Sequence, residues 1–395
     1  MLKIEYMKRI KVAFFAEILV EDFDGASRTM FQLIKRIDPT VFDFLFITGL
    51  GPNQLFGFEC FPIPSITLPL NTTYKMAVPF FVQQELKHKL NAFNPDVIHI
   101  ATPSWLGNFA LRYARQMQIP VITIYHTHFI SYIDYYFKYA PFLIDTMKHR
   151  VAESLQNFYN QCNVVYVPSE TIRHELTKMR IESNRMKIWK RGIDPALFSP
   201  DRRDIARMES LTGNTKPTIL FASRLVWEKN LATLFRIYDL IQDMAIPCNF
   251  VIAGDGIARR ACEINMPNAV FTGKVSHTEL AVLYASSDVF LFPSVSETCG
   301  NVVLEAMASG LPCVIADGGG SRDFIKQGFN GFTCSPYSEQ DYVNKLSLLL
   351  ENSRFTQQFR KNGLEHSAGY CWNKLARIYF QELSKLSETQ MLIPA

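Results

Sequence analysis

The eight cysteines of this 395-residue chain (60, 162, 248, 262, 299, 313, 334 and 371) include no C-x-x-C pair, and no histidines pair at zinc-ligand spacing. A disulfide framework and a zinc site are therefore not suggested, and the cysteines read as buried thiols in a reducing compartment. Net charge is nearly absent as well, at +4, which is not the footprint of a dedicated nucleic-acid binder, so no nucleic-acid partner is expected. No run looks transmembrane. The longest uncharged stretch, Gln116–Ile133, is interrupted by Pro120, His126 and His128. Basic residues precede Val12–Val20, but Glu17 breaks that run and no cleavage site follows, so a first strand is the better reading than a signal peptide. Met7, directly before it, is an alternative start. Low-complexity sequence and fixed-period repeats are lacking too, and no G-x-G-x-x-G follows the first strand, which sets a nicotinamide dehydrogenase aside.

What is present is 48% hydrophobic residue content with 31 Phe, enough to bury more than one core. Residues 1–200 hold 22 Lys and Arg against 17 Asp and Glu, and the remainder 19 against 20, so the basic excess lies in the first half. Short β-branched or aromatic runs alternate with helical patterns throughout, the signature of parallel sheets covered on both faces. Strands are expected at Ile10–Ala16, Phe42–Thr48, Val97–Ala101, Val121–Tyr125 and Val164–Pro168, then at Thr218–Ala222, Asn249–Ala253, Ala269–Thr272, Val289–Phe292 and Cys313–Ala316. The fold class is α/β, with two Rossmann-like doubly wound domains. The break is expected within Pro195–Thr215, where turn residues cluster without apolar periodicity, giving domains 1–197 and 198–370. A last helix, 371–395, is expected to return to the first domain. Ligands of such sheets bind at the carboxyl ends of the strands, so two sheets would present a cleft.

Pro293–Pro312 carries the densest chemistry. It leaves a strand, turns through Ser296–Gly300 and enters a helix near Asn301, where unpaired N–H groups favour an anion such as pyrophosphate. Glu297 stands on the loop and Glu305 a little over one turn into the helix; isolated, they would read as a capping acid and an exposed helix residue. Arg224 and Lys229 follow another strand end, where two cations can hold a leaving pyrophosphate. Gly254, Asp255 and Gly256 follow a third, as a turn or a ligand loop. His126 closes a buried strand.

The spacing Glu297-x7-Glu305, with Gly310 and Pro312 beyond it, resembles the E-x7-E signature of the retaining group-1 (family-four) glycosyltransferases of GT-B fold. Ser223-Arg-Leu-Val-Trp-Glu-Lys-Asn230 is similar to their G-R-L-x-x-x-K motif, and Gly192-Ile-Asp194 with Phe198 and Pro200 to their interdomain motif. The resemblance implies a hexose moved from a nucleotide-sugar donor of GDP-mannose or UDP-glucose type to a hydroxyl acceptor. It implies Arg224 and Lys229 on the diphosphate and Glu297 on the sugar. Glu305 would take the ribose, and His126 would lie beside the donor sugar and acceptor. Donor contacts are implied at Gly25, Gly254, Asp255, Gly256, Cys299, Gly300, Asn301 and Val302. No bound metal or other cofactor is implied, and Asp22-Phe-Asp24, on a first-strand loop, is not read as a metal motif. Two departures stand out: Gly25 is followed by Ala26 where a glycine pair is usual, and Cys299 replaces the usual Phe.

The branch most resembled makes glycolipids, including sulfoquinovosyl- and mannosyltransferases, so a lipid or lipid-linked glycan acceptor is expected. The basic first domain, with the aromatic run Phe129–Phe142 followed by Lys148 and Arg150, also suits an anionic membrane surface; core packing of those aromatics is the plainer alternative. The expected location is cytoplasmic, peripheral on the inner membrane face. A nucleotide-sugar epimerase of the same fold and a catalytically silent sugar-nucleotide binder are the other readings.

Overall fold

The computed structural model describes residues 8–21, 23–68, 71–126 and 141–391. Met7, Asp22, His128, Pro394 and the aromatic run apart from Phe142 lie outside them. The described residues form two compact units, one comprising residues 8–126, 142–189 and 372–391 apart from 22, 69 and 70, the other residues 190–371. Trp189 packs with the first unit and Lys190 with the second. Within the stretch expected as a linker, Ile205–Thr212 is a helix of the second unit. Asp204 caps it by accepting from the Arg207 N–H, and Gly213 closes it in a left-handed conformation. Only Met208 on this helix is buried, so its apolar stripe is too narrow to stand out in the sequence.

The first unit is built on an eight-stranded sheet in the order Met186–Ile188, Val164–Val167, Val121–Ile124, Val97–Ile100, Ile10–Ile18, Phe42–Leu50, Phe58–Pro62 and Gln54–Leu55. All neighbours are parallel except the last pair. Alternation along the first strand sends Val12, Phe14 and Ala16 to one face and Ala13 and Phe15 to the other, each face with its own core. Five of the 31 Phe gather here: Phe14, Phe42, Phe44, Phe46 and Phe58 pack ring to ring on one face.

Helix Trp372–Met391 covers that face. Trp189 Nε1 donates to the Leu375 carbonyl at 3.0 Å, and Lys187 pairs with Glu382 at 2.6 Å. Tyr379 Oη lies 2.9 Å from His99 Nδ1. His99 is fully buried and stacked on Phe14 at 4.1 Å, and burial pushes its imidazole down to about 3. It is a core residue.

The second unit holds a six-stranded parallel sheet in the order Val270–Gly273, Asn249–Ala253, Thr218–Ala222, Val289–Phe292, Cys313–Ala316 and Gly331–Cys334. Several strands match expectation residue for residue. The expectation missed Gly331–Cys334 and, in the first sheet, Met186–Ile188 and Phe58–Pro62. These are short strands of mixed composition at or near sheet edges, where burial on both faces no longer writes an apolar run.

Candidate active site

Three strand ends of the second sheet converge. The chain leaves Thr218–Ala222 through Ser223, Arg224 and Leu225 into a single turn of 3-10 helix, Trp227–Lys229, closed by Asn230 in the left-handed region. Asn230 Nδ2 donates to the carbonyls of Pro293 and Pro336 at 3.0 and 2.8 Å, tying this loop to two others. From the neighbouring strand, Gly254 sits at φ +140, and a Cβ there would lie 1.9 Å from the Ser223 carbonyl oxygen. Only glycine lets the loops approach so closely.

After Val289–Phe292 the loop Pro293–Gly300 leads into helix Asn301–Ala308. Gly300 stands at its N-terminus with φ +75, and no side chain caps the helix. A Cβ on Gly300 would meet Ser321 Oγ at 2.2 Å, and the Gly320 N–H donates to the Glu297 carbonyl at 2.6 Å. A second loop thus grips the first and holds the helix start open. Asn301 Oδ1 is buried there without a hydrogen-bond partner among the described residues.

Lys229 and Glu297, 68 residues apart, form a direct ion pair between Nζ and Oε1. Their side chains are only 7% and 19% exposed. Ser294 Oγ also donates to Glu297 Oε1 at 3.3 Å, and Ser296 Oγ to the Glu228 carbonyl at 2.9 Å. Two groups expected on different parts of a donor are therefore partners, each compensating the other's burial. Arg224 is exposed and makes no ion pair among the described residues.

Glu297 caps no helix, and Glu305 is buried, 3.4 Å from Tyr284 Oη, so the plain readings of both acids fail. Val302 follows Asn301, half-buried. Cys299 turns its side chain into the core, where burial pushes the thiol up to about 12 while Arg191 beside it pulls the other way. Asp255 is exposed and pairs with Arg259 at 3.5 Å, while its backbone oxygen accepts from Leu225 at 2.9 Å.

Gly25 and His126 belong to the first unit. Gly25 opens helix Gly25–Ile34, capped by Asp24, and a Cβ there would meet nothing within 4 Å. His126 follows Val121–Ile124 by two residues, half-buried beyond the buried Tyr125. Arg191, Tyr284 and Ser321 were missed by sequence reasoning: they meet the site through packing, and no spacing rule links them to it. Ser294 lies within Pro293–Pro312, three residues before Glu297.

Residues 23–197 match the family described as Glycosyltransferase Family 4, and residues 202–366 that described as Glycosyl transferases group 1. A GDP-mannose-dependent alpha-mannosyltransferase of Mycobacterium tuberculosis is 32% identical over 324 residues, covering 80% of this chain and 81% of that protein. The chain belongs to the group 1 glycosyltransferases. Sulfoquinovosyl transferase SQD2 of Arabidopsis thaliana is 31% identical over 81% of this chain and 62% of that protein. Among solved structures, Anabaena Alr3699/HepE in complex with UDP and glucose superposes with a TM-score of 0.72 at 17% identity, over 95% of this chain and all of that one, and shares the GT-B fold. This group 1 glycosyltransferase keeps the E-x7-E acids, the cation pair of the strand-end loop and the uncapped helix start in one unit.

Proposed function

We propose that this glycosyltransferase moves a hexose from a GDP- or UDP-linked donor to a hydroxyl of a lipid or lipid-linked glycan, with retention of configuration. The observation that carries the donor side is the meeting of Lys229, Glu297 and the open N-terminus of helix Asn301–Ala308. Arg224, Lys229 and the helix N–H groups neutralise the departing diphosphate, Glu297 holds the sugar, and Glu305 accepts from the ribose. The bond from the anomeric carbon to phosphate oxygen breaks as the bond to the acceptor oxygen forms on the same face of the ring. The acceptor proton passes to the leaving phosphate.

His126 and Gly25, in the first unit, are assigned to the acceptor and the approach of the donor. The charge work falls to protein cations, so the reading includes no resident metal. The lipid acceptor is supported by the names of relatives, including an alpha-monoglucosyldiacylglycerol synthase of Streptococcus pneumoniae, 30% identical over 61% of this chain. Among the described residues no helix is long and apolar enough to cross a membrane. We place the enzyme in the cytoplasm, peripheral on the inner membrane face.

Thermal-shift screening against UDP- and GDP-hexoses selects the donor, because specific binding raises apparent stability. Transfer is then measured for Glu297→Ala and Lys229→Ala; near-normal turnover in both refutes the assignment.

A further inference from the structure

Among the described residues only two Lys or Arg residues are buried, Arg191 and Lys229, and both are set against the loop Pro293–Gly300. The transfer chemistry uses Lys229 and leaves Arg191 without a part. Arg191 is 3% exposed, and its backbone and guanidinium both lie against the Cys299 sulfur. Two residues further on, the Ile193 N–H donates to the Tyr370 carbonyl at 2.8 Å and Ile193 bridges to Cys371. The segment that carries Arg191 is thus fixed to the one where the chain leaves the second unit. The same loop is also gripped by glycines: a Cβ on Gly320 would lie 2.0 Å from the Thr298 carbonyl oxygen, and one on Gly319 2.7 Å from that of Val295. That grip is backbone on backbone and brings no charge. Arg191 braces the loop with one.

Burying a guanidinium costs far more than burying an apolar side chain of its size, so packing alone does not account for it. The charges around the loop do. Lys229 offsets Glu297, while Glu305, buried a little over one turn into the helix, adds a second carboxylate. Without Arg191, a diphosphate at this helix start would meet an interior of two acids and one cation. With Arg191 the buried charges balance, and the helix N–H groups and the exposed Arg224 are left to attract the phosphates.

We propose that Arg191 is a positioning residue for the donor diphosphate: its guanidinium acts through residues 298–301, holding their N–H groups in place and supplying the buried positive charge that offsets Glu305. The role rests on the nucleotide-sugar donor reading and goes beyond it in assigning a third cation that stands behind the loop.

UDP, GDP and the matching nucleosides are titrated by calorimetry into the wild type, Arg191→Gln and Arg191→Lys. Arg191→Gln lowers affinity for the preferred diphosphate at least about ten-fold, the scale of one unit charge near a phosphate in a partly buried site. It leaves nucleoside affinity within about two-fold, because a nucleoside carries no charge for Arg191 to offset. Arg191→Lys keeps the charge at neutral pH, but a buried ammonium gives up its proton far more readily than a guanidinium. Its diphosphate affinity therefore starts near wild type at about pH 7 and falls relative to wild type toward about pH 9. If Arg191→Gln does not fold, the pH profile of Arg191→Lys decides alone. A Gln variant that binds the diphosphate as wild type does, one that loses nucleoside and diphosphate alike, or a Lys variant that runs parallel to wild type across that pH range each overturns the proposal. Wild-type protein that binds neither UDP nor GDP refutes the donor reading itself, whereas binding by wild type with unaffected variants refutes only the role of Arg191.

Discussion

Removing one member of the Lys229–Glu297 pair leaves the other charge in a site built to compensate it. Losing one partner of a buried pair costs about 3–5 kcal/mol, much of it the penalty of stranding the survivor. The Lys229 side chain is 7% exposed and that of Glu297 is 19% exposed, so the two deletions are unequal. Glu297→Ala strands the deeper ammonium and is expected near the lower end of that range, about 3 kcal/mol. Lys229→Met keeps the stem volume and strands a carboxylate that still accepts from Ser294; partial exposure reduces the cost to about 2 kcal/mol. The double variant strands nothing, so it is expected to lie well short of the sum, with a coupling of about 1–3 kcal/mol. Urea unfolding of the three variants and the wild type, followed by a probe in the second unit, measures the cycle. Additive costs within about 0.5 kcal/mol refute the reasoning. The same proteins titrated with nucleotide diphosphate test the competition implied by the site, because Lys229→Met weakens binding whereas a merely structural pair would leave it unchanged.

His99 supplies a pH test. Its folded value, about 3, lies below its ordinary 6.5, so the native state favours the neutral ring. The stabilisation is whole above pH 6.5 and erodes as pH falls toward 3, by up to about 1.4 kcal/mol per unit. His99→Gln is expected to flatten the dependence of unfolding free energy on pH between 6.5 and 5; an unchanged slope refutes the assignment. Gly254→Ala, with its Cβ at 1.9 Å from a carbonyl oxygen, is expected to cost more than about 2 kcal/mol in a denaturant melt. Gly25→Ala meets nothing within 4 Å and is expected to shift stability by less than about 1 kcal/mol. If its transfer rate nevertheless falls, the space at Gly25 serves substrate. Glu305→Gln keeps an acceptor for Tyr284 and is expected to weaken nucleotide binding about ten-fold by calorimetry, through loss of a charged acceptor.

Central strands were the most legible part of the chain. Thr218–Ala222, Val289–Phe292 and Cys313–Ala316 are buried on both faces, so their runs are apolar regardless of tertiary context. Helix Asn301–Ala308 was equally legible, because Gly300 ends the loop before it. The helix Ile205–Thr212 was not, since one buried residue writes no stripe. In the site, the acids and cations were legible through their spacing, whereas Tyr284 and Arg191 were not, because each reaches the site from a segment remote in sequence.

Local sequence determined which residue types stand at the strand ends of the second unit, since turn chemistry, helix starts and short-range spacing act over a few residues. It also determined that two large sheets form, through alternating apolar periods. Only the tertiary structure decided that Lys229 and Glu297 are partners, that the Cys299 thiol faces the core, and that Phe80, Phe81 and Trp105 stay in solvent while other phenylalanines are consumed by the first sheet. Pairing and burial depend on which surfaces meet after folding, and a residue's identity is the same on either side of that outcome.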